Sequence, residues 1–93
     1  ESSGGKDVSD ILEDLYREAA GRLGAYGYLL TGSHASGEDL LHDAIVKVFV
    51  KSGRLSNVHQ AEAYVRTTMA RLYIDRVRRE AAWRRIAPSQ AIA

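Results

Sequence analysis

The chain has 93 residues, 45% of them apolar, enough for one compact domain with a modest stability margin and too few for two. It contains no cysteine, which excludes disulfides and thiolate metal sites and suits a reducing cytoplasm. Its three histidines are scattered, no apolar run reaches the roughly 18 residues of a membrane span, and the first residues lack the basic-then-apolar order of a signal peptide.

Residues 1–7 are polar and glycine-rich and are expected to be a disordered linker; the folded domain is expected over residues 8–86. From about Val8 to Leu30, Ile11, Leu12, Leu15, Tyr16, Ala19, Leu23, Tyr26 and Leu30 recur at spacings of three and four, which predicts an amphipathic helix. Gly21, Gly24 and Gly27 fall inside it, each costing roughly 1 kcal/mol relative to alanine, and either allow close helix packing or mark a bend. Residues 31–35 read as a connector. Ser36 with Asp39 three residues on resembles a capping box, from which a second helix runs to about Lys51. Its buried stripe is Leu40, Leu41, Ala44, Ile45, Val48 and Phe49, but Val46 and Val50 lie on another side. A helix apolar nearly all round is either central or meets a partner. Residues 51–58 form a loop by their Ser, Gly and Asn content, closed by Asn57 as a cap. A third helix is expected from about His59 to Arg85, stopped by Pro88, with residues 87–93 beginning a linker. The expected fold is all-α, a compact bundle of three to four helices.

The net charge of +1 hides an opposition between the halves. Residues 1–46 carry three basic side chains against nine acidic ones, a net −6, and residues 47–93 carry ten against three, a net +7. A polyanion would approach the second half and a basic partner the first. The third helix holds Arg66, Arg71, Arg76, Arg78, Arg79, Arg84 and Arg85 and no lysine. Guanidinium groups bind phosphate bidentately and stack on bases, so the choice of arginine points to nucleic acid; on composition alone, a solvated face stands beside it as an equal reading. Tyr64, Tyr73 and Trp83 offer π-faces for a single strand, although core packing explains Tyr64 and Tyr73 as well. Asp39 and Asp43, with His42 beside them, could pass for a metal or carboxylate pair, but acids in a helix's first turns follow from its dipole and no third ligand is spaced to join them. No nucleophile lies beside a base and no phosphate-cradling loop is present. The expectation is a non-enzymatic protein without a cofactor or metal.

Two segments together carry a family resemblance. Residues 37–50, GEDLLHDAIVKVFV, and residues 62–79, EAYVRTTMARLYIDRVRR, resemble region 2 of an extracytoplasmic-function sigma factor. In that family an A-E-D-L-V-Q-E-A-F segment precedes A-W-L-R-R-I-A-R-N-L-x-x-D-R-L-R-R at this separation. Leu29-Leu-Thr-Gly32 also fits the family's turn, and the likeness covers about residues 15–85.

The resemblance implies a cytoplasmic transcription initiation factor domain. Its second helix would dock on the β′ clamp helices of RNA polymerase core through Asp39, His42, Asp43 and Val46, with His42 where the family has Gln and Asp43 where it has Glu. An acidic, partly apolar helix face complements a basic helical hairpin. The third helix and its preceding loop would recognise and melt the minus-ten promoter element, holding the non-template single strand with a base flipped into a pocket. Arg54, Ser56 and Asn57 would border that pocket, Tyr64 and Arg71 replace the family's Trp and Asn beside it, and Arg66, Arg71, Arg78 and Arg79 would hold the backbone or base edges. Asp75 coincides with an acid of the family and would orient Arg71, Arg78 or Arg79, all within one turn. An anti-sigma protein is a further partner that the resemblance allows. The competing reading is a helical protein-interaction module, a decoy or adaptor with a solvated arginine face.

Overall fold

The computed structural model describes the backbone of residues 8–51 and 57–92, so residues 1–7, expected to be a linker, lie outside it. Three helices follow in order: α1 (Val8–Thr31), α2 (His34–Lys51) and α3 (Val58–Ile92). Each packs against the other two, and no strand occurs among the described residues. The expected all-α bundle is therefore present with three helices.

The core forms where three apolar stripes meet. Ile11, Leu15, Ala19 and Leu23 descend α1 in steps of four; Leu40, Leu41, Ala44, Ile45 and Val48 come from α2; Ala61, Val65 and Met69 come from α3. Fully burying one aliphatic side chain stabilises the fold by about 1.5–3 kcal/mol, so a small cluster of this kind outweighs any single surface contact. Among the described residues, Asp14 is the buried charge. Arg17, one turn on, pairs with it, and no buried side-chain nitrogen or oxygen lacks a partner among the described residues.

The α1–α2 turn is tight. Gly32 adopts φ +79°, a left-handed conformation that glycine enters without steric cost, and its N–H donates to the Tyr28 carbonyl at 2.7 Å. The Thr31 hydroxyl donates to the Gly27 carbonyl at 2.9 Å, and the rings of Tyr28 and His34 stack across the turn with centroids 4.5 Å apart. Ser33, not the expected Ser36, caps α2: its hydroxyl accepts the Ser36 N–H at 3.2 Å, and its carbonyl accepts the Gly37 N–H at 2.8 Å. The helix begins about a turn earlier than the Ser36–Asp39 pattern suggests, so His34 and Ala35 of the expected connector are already helical. Gly37 is buried inside α2, against α1. A Cβ on Gly37 would lie 2.7 Å from the Gly27 carbonyl carbon, and one on Gly27 would lie 2.7 Å from the Gly37 oxygen. Of the two readings of the α1 glycines, close packing applies to Gly27. Nothing lies within 4 Å of a Cβ at Gly21 or Gly24.

Asn57 opens α3 as its sequence pattern predicts, its Oδ1 accepting the Gln60 N–H at 2.8 Å. The other end differs from expectation. Pro88 does not stop the helix near Arg85; the helical backbone continues to Ile92. A proline inside a helix loses one i→i−4 donor and crowds the carbonyl four residues back, at a cost of about 3 kcal/mol, although its fixed φ is close to the helical value. With 35 residues against 24 and 18 for its partners, α3 outruns the bundle. Past Tyr73 it leaves the core, and Ile74, Val77, Trp83 and Ile86 are exposed.

Candidate nucleic-acid interface

The arginines of α3 separate by helical phase. Asn57, Tyr64, Arg71, Arg78 and Arg85 recur at seven-residue intervals, so they share one face with a slow drift of about 20° per heptad. All five are exposed. Arg71, Arg78 and Arg85 form no ion pair with another described residue, and neither does Arg84. The face therefore presents uncompensated guanidinium groups behind an exposed tyrosine ring, beginning at Asn57, the cap of α3. Arg79 lies beside it, its Nε donating to the Asp75 carbonyl at 3.4 Å. Arg54 and Ser56 lie outside the described residues.

Where this face meets α2 there is a cleft of about 350 Å³, lined by Lys47 and Val48 of α2 and by Tyr64, Thr68, Arg71, Leu72 and Asp75 of α3. A second cleft, on the outer side of α3, shares Tyr64, Thr68 and Arg71 and adds Gln60, Ala63 and Thr67. Tyr64 and Arg71, both expected from the sequence, thus form a common wall with the hydroxyl of Thr68. Lys47 and Thr68 are additions that sequence reasoning does not single out. Asp75 lines the cleft, but the expected carboxylate contact to Arg71, Arg78 or Arg79 is absent among the described residues; the link to Arg79 runs through the main chain. An α-helix points its side chains outward, and here Asp75 turns to the α2 side while Arg78 stays on the solvent side.

Arg66 belongs to another face. It pairs with Glu62 at 3.3 Å and lies over the Tyr26 ring of α1, 5.4 Å from its centroid. Glu62 in turn accepts two hydrogen bonds from Arg22 of α1, at 2.9 Å from Nε and 2.8 Å from Nη2. The arrangement fastens α1 to α3 and does not bring Arg66 beside Arg71. The bidentate bond from Arg22 holds the Glu62 carboxyl below the usual carboxylate range, against the opposing effect of burial, and raises Arg22. A depressed carboxylate contributes stability that is present above its unfolded value, about 4.3, and is lost as pH falls through the lower folded value. Glu62→Gln should therefore melt below the wild type at neutral pH, and thermal melts in acid should bring the two together as pH falls below about 4.

The predicted partner-binding residues Asp39, His42, Asp43 and Val46 all lie exposed on one side of α2, and Val50 extends the row at 77% exposure. Arg76 of α3 reaches this side, 2.9 Å from Asp43 and 3.5 Å from Asp39. Its sequence position gives the signal for this: Val65, Met69, Leu72 and Arg76 share the phase of the buried stripe, so an arginine there faces a helix and not solvent. Both acids remain more than half exposed despite the pairing. Among the described residues no group of three His, Asp or Glu side chains is arranged to hold a metal, and no helix is long and apolar enough to cross a membrane.

Among known protein families, the model described as Sigma-70 region 2 matches residues 11–84, the span that holds all three stripes and both clefts. Curated proteins and solved structures give no match to the chain.

Proposed function

The chain belongs to the sigma-70 region 2 family, a family of transcription initiation factors that act with RNA polymerase in promoter recognition, and from that premise we propose how its two faces divide the work. The exposed side of α2, with Asp39, His42, Asp43 and Val46, docks on the basic clamp helices of the polymerase core. The stripe of Tyr64, Arg71 and Arg78, with Arg79, Asp75 and the loop that includes Arg54, Ser56 and Asn57, holds the non-template strand of the minus-ten element.

The observation that carries this reading is the sorting of the arginines. Arg66 and Arg76 are engaged in contacts to α1 and α2, whereas those of the seven-residue stripe are exposed and uncompensated. A face kept for solvation alone has no need to align its free guanidinium groups with an exposed aromatic ring and two clefts. Melting follows from differential affinity: if the stripe binds single strand better than duplex, it shifts the opening equilibrium by that difference and performs no bond chemistry. The α2 side is the natural target of an anti-sigma protein, which would compete with polymerase for the same acids.

Capture by core polymerase tests the α2 assignment. Asp39→Lys with Asp43→Lys should lose capture, since like charges facing a basic hairpin cost several kcal/mol, of order 2–5 for a close pair. Because those changes also crowd Arg76, Val46→Arg serves as a second variant that leaves the ion pair intact and should weaken capture too. Undiminished capture of both variants by core polymerase would remove α2 from the docking surface.

A further inference from the structure

The proposed docking acids of α2 carry a cation of their own. Asp39 and Asp43 stand one helical turn apart, a spacing at which like charges repel. Between them comes a guanidinium from another helix: Nη2 of Arg76 lies 2.9 Å from Oδ2 of Asp43 and 3.5 Å from Oδ2 of Asp39. The phase of α3 delivers it there, since Arg76 continues the row of Val65, Met69 and Leu72 and so faces α2. It is the arginine of α3 that leaves the DNA-facing stripe for the opposite surface.

This contact adds little to stability, because both carboxylates are more than half exposed and water competes for them. The packing of Leu40, Val48 and Met69 holds α2 to α3 without it. Its larger effect is on the field outside the helix. Two carboxylates and one guanidinium leave a single negative charge where the acids alone would present two.

From this we infer that Arg76 is a built-in counter-ion that moderates docking on α2: a basic partner is held less tightly, and responds less to salt, than the two acids alone would dictate. The inference rests on the docking of α2 against a basic hairpin.

The geometry leaves docking open while weakening its electrostatic part. An ionised carboxylate accepts through both oxygens, and Arg76 takes one oxygen of each, so Asp39 and Asp43 stay accessible at 70% and 55% exposure. Any cation that reaches them also approaches Arg76, and like charges brought together suppress wrong partners. A diffuse polycation has only its charge to offer and loses most. A partner that also covers the exposed Val46 and Val50 keeps an apolar contact that Arg76 does not touch. Arg76 thus moves recognition on α2 from charge towards shape.

The test titrates core polymerase into the fluorescently labelled full chain over a range of salt. Arg76→Gln should bind core about two- to fivefold more tightly than the wild type at low salt, and the advantage should shrink as salt rises. Arg76→Lys keeps the charge and should stay with the wild type. Arg84→Gln removes the same charge from an arginine that forms no ion pair with a described residue, and it too should bind as the wild type does. Equal or weaker binding by Arg76→Gln overturns the inference, as does a gain shared by Arg76→Lys or Arg84→Gln, or one that salt does not reduce. These outcomes leave docking on α2 in place so long as Asp39→Lys with Asp43→Lys loses capture. Undiminished binding by that variant overturns both.

Discussion

Gly27→Ala should destabilise the domain by about 1–3 kcal/mol, the cost of forcing a methyl group into a packed interface, although alanine is the better helix former. The added Cβ would stand 2.7 Å from the Gly37 oxygen and 3.0 Å from its carbonyl carbon and Cα. Those are backbone atoms, which cannot rotate away, so relief requires α1 and α2 to separate along the turn that joins them. Separation would in turn loosen Leu40 and Leu23, both fully buried in the core. In a domain of this size each kcal/mol moves the melting temperature by about 4–8 °C. Gly37→Ala should behave alike. The control lies one or two turns away: Gly21→Ala and Gly24→Ala meet nothing within 4 Å and should stabilise by up to about 1 kcal/mol through helix propensity. Thermal melts followed by circular dichroism separate the four variants. A Gly27→Ala protein that melts at or above the wild type would mean that the two helices do not approach at this point.

The second large effect concerns the stripe on α3. Arg71→Ala combined with Arg78→Ala should lower affinity for single-stranded DNA by at least tenfold per arginine, since a hydrogen bond to a charged group contributes about 1.5–3 kcal/mol. It should also flatten the slope of log affinity against log salt by roughly 0.7 for each phosphate left without its arginine. Arg66→Ala provides the internal contrast. Its guanidinium lies over Tyr26 and against Glu62, so its removal should leave the salt slope as it was and appear instead in the melting temperature. Arg71 and Arg78 are exposed, so the double variant should keep its fold. An unchanged slope in the double variant would show that these side chains do not touch phosphate.

How much of the fold and of the site is legible in the sequence depends on what decides each feature. The three helices and their buried stripes follow from spacing, because a core between amphipathic helices imposes its period on the chain; Ile11 to Leu23, Leu40 to Val48 and Ala61 to Met69 carry that period plainly. The Asn57 cap is equally local. The start of α2 is less so, since Ser33 and Ser36 are equally good caps by residue type and it is the Ser33 hydroxyl that accepts an N–H of the first turn. The end of α3 escapes a reading that treats Pro88 as a stop, because the fixed φ of proline is compatible with a helix even though its ring costs a hydrogen bond and crowds the carbonyl four residues back. In the candidate site, residue type alone pools the arginines, whereas phase sorts them: Arg76 continues the Val65–Met69–Leu72 row, and Arg66 follows Glu62 by one turn. The turn of Asp75 into a cleft with Lys47 depends on how α2 lies against α3, which no local pattern records.

Anisotropy of one labelled minus-ten segment, offered as non-template single strand, as a scrambled single strand and as duplex over a range of salt, tests the central claim most directly. The exposed stripe and its clefts predict that the non-template strand binds more tightly than both the scrambled strand and the duplex, with all affinities falling as salt rises. Equal affinity for the three would contradict capture of a melted promoter strand by α3.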